Sequence, residues 1–271
     1  MELSITISDV RSPGAPIVFQ GDLTAQIRKT QRLGFSQVEL HVRDPKGLDL
    51  GSLVQALEGT SLQVSTLGTG QAYTLDGLSF ACSDAAVRAE AVKRIKAHIQ
   101  LAQILGAKVI IGTIKGRLGS AAEGRQAAYR HVVDSLRCCL EEAERCGVQL
   151  CVEAINRYEA DFLNTAAEAV SFIEQFGSKQ VGLLLDTFHM NIEEACLMGP
   201  IRQYAEYLFH VHLADSNRLA PGWGHLDFPS LLRELSAAGY RGSLGLEYLP
   251  LPSPEESAGQ GVTYLRRLPQ G

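Results

Sequence analysis

Four residues with metal-binding side chains recur along the second half of the chain. Glu153, Asp186, His212 and Glu247 each end a short apolar run, within CVEAINRYE, LLLDTFH, FHVHLADSNR and LGLEYLP. Successive members are roughly 30 residues apart, the average length of a strand-helix unit in a barrel of about 250 residues. Three carboxylates and one imidazole form an oxygen-rich donor set, which favours Mn²⁺, Mg²⁺ or Co²⁺ over structural zinc. The spacing therefore predicts one divalent metal site.

A structural role is the alternative for each of these residues taken alone, because acids at strand ends also cap helices or form ion pairs. Four residues in register, each preceded by apolar strand residues, favour the metal site over that alternative. His210 lies two residues before His212 and should share its face of the strand. Because His210 lies deeper in the strand, we predict a supporting or packing role for it.

Eight short apolar runs alternate with longer amphipathic segments and must position these residues. The runs are rich in Val, Ile and Leu, as expected of parallel strands covered by helices. They are LSITIS, QVELHV, QVSTLG, KVIIGTI, VQLCVEAI, VGLLLDT, LFHVHLAD and SLGLEYL. One helical segment begins with a capping box of Thr165 and Glu168. Glycines suited to the left-handed conformation close the helices, at Gly34, Gly106, Gly147, Gly177 and Gly239.

This alternation predicts the α/β class and a single (β/α)8 TIM-barrel domain spanning residues 1–271. Catalytic groups of such barrels lie at the C-terminal ends of the strands, so the four residues should meet at the barrel mouth. An open doubly wound sheet is the alternative. That fold usually has a glycine-rich phosphate turn after its first strand, whereas SDVRSPGAP holds a single glycine.

Composition limits the classes of partner. The chain has 271 residues, a formal net charge of −5 and 45% hydrophobic residues, which suits a soluble globular protein without a basic surface for nucleic acid or anionic lipid. The start, MELSITISDV, lacks the features of a signal peptide, and we expect a cytoplasmic protein with no nucleic-acid or membrane partner. The six cysteines form no CxxC motif, which favours reduced thiols over a zinc site or a catalytic thiol.

Several longer motifs resemble a known family. EAINRYEADFLNTAAEAV, LDTFHMNIEE, HVHLADSNRLAPGWGHLDF and LEYLPLP are similar to the xylose-isomerase-like TIM-barrel superfamily and, within it, to the ketose 3-epimerases. The resemblance covers most of the chain. HVRDP, GTGQAYTLDGLSF and VIIGTIKGR are similar to a narrower branch, the 5-keto-L-gluconate epimerases, which interconvert 5-keto-L-gluconate and D-tagaturonate.

The resemblance implies roles for individual residues. Glu153, Asp186, His212 and Glu247 match the ligands of one divalent metal, usually Mn²⁺. The matching substrate contacts are Glu159, His189 and Arg218. We also expect a homodimer or homotetramer that takes a small keto-sugar or keto-acid as its substrate.

The chemistry implied by the resemblance is inversion of a hydroxyl-bearing carbon next to a ketone. The metal ion acidifies the carbon and stabilises the enediolate formed from it. Glu153 and Glu247 are the expected catalytic residues: one glutamate removes the proton, and the other returns a proton to the opposite face.

Three cations are candidates for binding a substrate carboxylate. Arg43 follows the second predicted strand, and Lys115 and Arg117 follow the fourth. Solvated surface charge is the alternative for each of them. The loops after the seventh and eighth strands lack a glycine-rich phosphate nest, which favours an unphosphorylated sugar or sugar acid.

Other functions remain open from the sequence. The chain could be a D-allulose or D-tagatose 3-epimerase acting on neutral ketohexoses, or a hydroxypyruvate-type aldose–ketose isomerase. An endonuclease IV-like hydrolase is disfavoured, because it needs several metal ions, more histidines and a less acidic surface. A binding barrel without activity would be expected to lack one of the four ligands. The natural substrate, the bound metal and the oligomeric state are left undecided.

Overall fold

A computed structural model describes residues 1–268, which form nine strands and ten α-helices. The strands are β1 (Glu2–Ser8), β2 (Phe19–Gln20), β3 (Gln37–His41), β4 (Gln63–Gly68), β5 (Lys108–Ile111), β6 (Leu150–Glu153), β7 (Val181–Asp186), β8 (Leu208–Leu213) and β9 (Ser243–Leu246). The helices are α1 (Leu23–Arg32), α2 (Leu50–Glu58), α3 (Gly70–Thr74), α4 (Ala85–Leu105), α5 (Arg125–Cys146), α6 (Ala166–Glu174), α7 (Thr187–Glu193), α8 (Met198–Gln203), α9 (Phe228–Ala237) and α10 (Pro254–Arg267).

The strands form one sheet in the order β2-β1-β3-β4-β5-β6-β7-β8-β9, and β1 also pairs with β9. That last pairing is parallel, from Glu2↔Ser243 to Ile5↔Leu246, and it closes eight strands into a barrel. The two-residue β2 pairs with the end of β1 and lies outside the closed set. The predicted (β/α)8 TIM barrel is confirmed.

Each of the eight apolar runs overlaps one barrel strand; β1 begins one residue before its run, at Glu2, and some other strands are shorter than their runs. In KVIIGTI the strand ends at Ile111, because Gly112 leaves the extended conformation (φ −95°, ψ −118°). The next residues, Thr113–Lys115, form a 3₁₀ turn instead. Lys115 therefore lies on a turn and not on a strand, and its ammonium donates to the carbonyl of Glu153, the last residue of β6.

The predicted start of α6 and the predicted ends of α4 and α5 are observed, whereas α1, α6 and α9 end two or three residues before Gly34, Gly177 and Gly239. The capping box of α6 is present, with the Thr165 hydroxyl accepting from the Glu168 N–H and the Glu168 carboxylate accepting in return. Gly106 and Gly147 end α4 and α5 with φ of 68° and 67°, left-handed values that glycine adopts without a steric cost. The short helices α3 and α7 were not predicted, because five to seven residues are too few to show a helical period.

The chain groups into two compact units. The first comprises Met1–Leu40, Asp49–Ser65 and the described residues from Leu184 onward, and it includes β1, β8 and β9. The second comprises His41–Leu48 and Thr66–Leu183, and it includes β5 and β6. Strands β3, β4 and β7 continue from one unit into the other.

Burial along the strands agrees with a parallel sheet covered by helices. Every residue of β6 and of β7 is buried. Alternation along β8 places His210 and His212 on the same face. Within the described residues, no helix has the length and apolar character needed to cross a membrane.

Candidate active site

Asp186 is held by a helix N-terminus. It is the last residue of β7 and the N-cap of α7, and its Oδ1 accepts a 2.7 Å hydrogen bond from the Phe188 N–H. Its Oδ2 has no hydrogen-bond partner among residues 1–268. Burial raises the pKa of Asp186 to about 7, and the neighbouring Glu247 carboxylate adds to the rise while His212 opposes it. One oxygen thus fixes the side chain, and the other is available to a ligand.

His212 lies on β8 with each ring nitrogen in a different environment. Its Nε2 lies 3.0 Å from the Glu39 Oε2. Its Nδ1 has no hydrogen-bond partner within the described part of the chain, although Glu247 Oε2 is 3.3 Å away and Asp186 Oδ2 is 4.0 Å away. Burial favours the neutral ring, but the carboxylates of Glu39 and Glu247 outweigh it and raise the His212 pKa well above 6.5.

Glu247 follows β9 and is fixed through its neighbours in sequence. Tyr248 is fully buried, and its hydroxyl donates a 2.9 Å hydrogen bond to the Ser257 carbonyl. The Leu249 N–H donates to the Arg218 carbonyl at 2.9 Å. The chain on the C-terminal side of Glu247 is therefore tied to α10 and to the loop after β8.

Glu153 is the last residue of β6 and lies in the second unit with Lys115 and Gly112. The Lys115 Nζ donates a 2.7 Å hydrogen bond to the Glu153 carbonyl. Burial lowers the pKa of Lys115 to about 8, although the Glu153 carboxylate favours the charged amine. A Cβ on Gly112 would lie 2.5 Å from the Glu153 Oε2, so only glycine leaves room for this carboxylate.

These four side chains lie close enough together to hold a metal ion. Glu153, Asp186, His212 and Glu247 each offer one ligand atom, and the four atoms lie within 4.8 Å of one another. The donor set fits a divalent cation, since it is oxygen-rich and includes two buried atoms without hydrogen-bond partners, Asp186 Oδ2 and His212 Nδ1. The structure therefore brings together all four residues that the spacing selected.

Two of the expected substrate contacts lie beside this group. His189 is buried in α7, and its Nε2 lies 4.0 Å from the Asp186 Oδ2. Arg218 has a left-handed backbone (φ 61°), which is uncommon for a residue other than glycine. Its guanidinium stacks over the Phe188 ring at 4.8 Å, a cation–π distance. The Arg218 guanidinium therefore packs against the start of α7, the helix that carries His189.

Glu159, the third expected contact, lies on the loop after β6 and is half-buried. The Asn156 side-chain amide donates to the Glu159 Oε1 at 2.9 Å. The Glu159 carbonyl accepts from the Arg117 guanidinium at 3.1 Å. The Arg117 side chain thus holds the backbone of the loop that carries Glu159.

The three candidate cations for a substrate carboxylate have different surroundings. Lys115 is 1% exposed and bonded to Glu153, whereas Arg117 donates to the Glu159 backbone. Arg43 is partly exposed and forms an ion pair with Asp76, its Nε donating to the Asp76 Oδ1 at 2.8 Å. The pKa of Asp76 is lowered, chiefly by its hydrogen bond from Arg43. The Asp76 carboxylate therefore already engages the Arg43 guanidinium.

Sequence reasoning missed Glu39, which lies in the middle of β3. Glu39 is completely buried, and its Oε2 lies 3.0 Å from the Nε2 of both His210 and His212. The histidines are more than 170 residues away in sequence. The available signal was the charge itself, since an acid between Val38 and Leu40 in an apolar strand needs a buried partner.

Comparisons with known proteins identify the family. Residues 27–268 match the family model of the xylose isomerase-like TIM barrel. The L-ribulose 3-epimerase of Mesorhizobium japonicum is 32% identical over 254 residues, which cover 92% of this chain and 83% of that protein. The D-psicose 3-epimerase of Agrobacterium fabrum is 32% identical over 231 residues, which cover 82% and 77%. The apo crystal structure of 3-keto-D-glucoside 4-epimerase from E. coli superimposes with a TM-score of 0.81 at 25% identity, covering 98% of this chain and 99% of that one.

The chain therefore belongs to the xylose isomerase-like TIM barrel family. The predicted resemblance to its sugar epimerases is confirmed. Within the family the chain is a carbohydrate epimerase, and hence an isomerase.

Proposed function

We propose that this protein is a divalent-metal-dependent epimerase that inverts the hydroxyl-bearing carbon next to the ketone of a keto-sugar or keto-uronate. The observation that carries the proposal is the group of Glu153, Asp186, His212 and Glu247, with four ligand atoms within 4.8 Å. A divalent cation held there, with Mn²⁺ the first choice and Mg²⁺ or Co²⁺ the alternatives, would supply positive charge that acidifies the carbon next to the ketone.

Glu153 and Glu247 are the proposed proton carriers. They follow different strands, β6 and β9, and each is nearly buried, with 7% and 8% exposure. One carboxylate removes the proton as a general base, leaving an enediolate. The other carboxyl group returns a proton to the opposite face, which inverts the carbon.

The proposed substrate contacts are His189, Arg218 and Glu159. His189 follows Asp186 by one turn of α7, so its imidazole is suited to hydrogen-bond a hydroxyl of a sugar held at the metal. Arg218 is fixed over Phe188 and has several N–H donors for sugar oxygens. Glu159 would accept from a hydroxyl at the end farther from the metal.

A keto-uronate of the 5-keto-L-gluconate/D-tagaturonate type is the proposed substrate, and Lys115 supports this choice best among the three cations. Its ammonium carries three donors, and the Glu153 carbonyl accepts one of them. A buried substrate carboxylate is stabilised when it meets a cation and is costly without one. Arg43 is the weaker candidate because the Asp76 carboxylate already pairs with its guanidinium. Arg117, which donates to the Glu159 carbonyl, is the alternative to Lys115.

Neutral ketohexoses are the second candidate class. The relative named D-psicose 3-epimerase supports it, since psicose is a ketohexose without a carboxylate. The relative named L-ribulose 3-epimerase is named for a neutral ketopentose. The fold and the metal site would be the same in both cases. A substrate comparison is therefore needed to separate them.

D-Tagaturonate and D-tagatose form a matched pair of substrates that differ only in a terminal carboxylate. We expect turnover with Mn²⁺ and none after EDTA treatment, a higher kcat/KM for the keto-uronate, and deuterium at the inverted carbon in D₂O by NMR. Lys115→Met should lower kcat/KM for the keto-uronate more than for the neutral sugar. An equal or higher kcat/KM for D-tagatose would assign a D-allulose or D-tagatose 3-epimerase instead, and EDTA-resistant turnover would contradict the metal site.

A further inference from the structure

We infer that Glu39 is a positioning residue that fixes His212 with its Nδ1 directed at the metal site. This inference rests on the proposed metal site. The Glu39 Oε2 lies 3.0 Å from the His212 Nε2, which is a hydrogen-bond length. An ionised carboxylate only accepts hydrogen bonds, so the shared proton belongs to Nε2. A metal ion binds the neutral form of the imidazole, which carries one N–H, so the lone pair is then left on Nδ1.

The other side of the ring agrees with this assignment. The His212 Nδ1 faces the Glu247 Oε2 at 3.3 Å and the Asp186 Oδ2 at 4.0 Å, without a hydrogen bond to either. Metal-binding histidines commonly donate their second ring N–H to a carboxylate, which sets the tautomer, the ring orientation and the basicity of the ligand nitrogen. The Glu39 carboxylate occupies that position here.

His210 holds the Glu39 carboxylate in place. The His210 Nε2 also lies 3.0 Å from the Glu39 Oε2, and the two imidazole rings meet edge to face at 5.0 Å. A buried carboxylate without partners would be costly, and two imidazole N–H groups satisfy this one. Hydrogen bonds with His210 and His212 therefore hold the Glu39 carboxylate in place. Because the carboxylate is fixed, its bond to His212 limits the rotation of that ring.

The backbone of β9 closes this arrangement. Gly245 is the register partner of His212, and a Cβ at this position would lie 2.9 Å from both the His210 Nε2 and the His212 Cδ2, and 3.2 Å from the Glu39 Oε2. Any larger residue would displace one of the three side chains. Glycine at position 245 thus leaves room for both histidines and the glutamate to pack beside β9.

Variants of Glu39 test the inference through metal binding as well as activity. Glu39→Met removes the acceptor with little change in length, while Glu39→Gln keeps an oxygen acceptor. We expect Glu39→Met to weaken Mn²⁺ affinity, measured by EPR of free Mn²⁺, by roughly 10–100-fold. Glu39→Gln should lose less, so the conservative variant rescues much of the affinity. Tyr240→Phe, which removes a hydrogen bond to the Ser243 carbonyl at the start of β9, is the matched control and should leave the affinity unchanged.

A second readout is independent of turnover. In protein labelled with ¹⁵N-histidine, the His212 Nε2–H should give a slowly exchanging NMR signal with Mg²⁺ and without it, and Glu39→Met should abolish that signal. Gly245→Ala, which leaves the carboxylate in the chain, should weaken Mn²⁺ affinity too, so the test does not depend on the folding of one variant.

Two results would overturn the inference. One is Mn²⁺ affinity and an Nε2–H signal that survive in Glu39→Met. The other is binding of two Mn²⁺ per chain with the second lost in Glu39→Met, which would make Glu39 a ligand grouped with His210 and His212. If the wild type binds metal but epimerises no sugar, the proposed function fails while these readouts still test Glu39.

Discussion

At the scale of single residues, the site depends on carboxylates that do two tasks at once. Asp186 caps α7 with one oxygen, and its other oxygen, which has no hydrogen-bond partner within the described residues, belongs to the proposed metal site. The two tasks can be separated by substitution, because asparagine caps a helix about as well as aspartate but carries no charge. The cap is a backbone interaction, whereas metal binding needs the negative charge.

Asp186→Asn should therefore lower Mn²⁺ affinity by about tenfold or more and abolish activity at low Mn²⁺, while metal-free stability stays level or rises. Its carboxylate is buried beside Glu247, and removing it relieves a repulsion. Asp186→Ala should lose the cap as well, at about 0.5–2 kcal/mol. Thermal unfolding in EDTA together with Mn²⁺ titration measures both effects. Equal metal-free stability of the two variants would contradict the capping role.

The two glutamates give the second prediction at this scale. Glu153→Gln and Glu247→Gln should each lower kcat by roughly 10²–10⁴-fold at saturating Mn²⁺, because each face of the carbon needs its own proton carrier. Exchange of the substrate C–H with D₂O could persist in one variant only. Glu168→Gln, on the exposed capping box of α6, is the control and should keep wild-type kcat. Near-normal turnover in either site variant would refute the two-base scheme.

At the scale of elements, the loop after β8 is organised by one buried carboxylate. Asp215 accepts from the N–H groups of Ser216, Gly222 and Leu226 at 2.8, 2.9 and 3.1 Å. Its own carbonyl accepts from the Arg218 N–H at 2.8 Å. These bonds hold Arg218 in its left-handed conformation, with the guanidinium over α7.

Asp215→Asn should therefore act through Arg218. An amide cannot accept as strongly from three N–H groups, so we expect a loss of about 1.5–3 kcal/mol in stability and a rise in KM larger than the fall in kcat. Asp227→Asn is the matched control on the same loop, because asparagine still caps α9. Steady-state kinetics and thermal unfolding make the comparison. A fall in kcat with an unchanged KM would argue against this role.

At the scale of the whole molecule, metal binding is expected to stabilise the fold. A ligand present at 100 times its Kd adds about 2.7 kcal/mol to the native state. For a chain of this size that corresponds to roughly 5–10 °C in Tm. Asp186→Asn should show little of this shift, since it keeps the cap but lacks the charge.

The shift should also depend on pH. In the metal-free protein, burial raises the pKa of Asp186 to about 7, above its unfolded value, so its favourable contribution is present at low pH and is lost as pH rises through 7. His212, whose pKa is also raised, changes stability in the same direction. The metal competes with these protons. We therefore expect a larger Mn²⁺-induced rise in Tm at pH 8 than at pH 6, and the reverse order in calorimetric scans would contradict the linkage.

The sequence by itself determined the barrel and selected the four positions of the proposed metal site. Both follow from local chemistry: apolar runs form strands, glycines and capping boxes end and start helices, and polar residues at strand ends must emerge at one end of a parallel barrel. For this reason Glu153, Asp186, His212 and Glu247 could be selected from spacing alone. The 3₁₀ turn that buries Lys115 and the short helix that carries His189 were not predicted, because they are too short for a periodic signal.

Only the tertiary structure decided which atoms meet. Glu39 and His212 are 173 residues apart, and no local pattern states that a carboxylate in β3 will face an imidazole in β8. The same holds for Arg43, whose pairing with Asp76 depends on how the loops after β3 and α3 fold together. Position along a strand is a property of the local chain, but the partner of a buried charge is set by the closure of the sheet, which brings distant strands side by side.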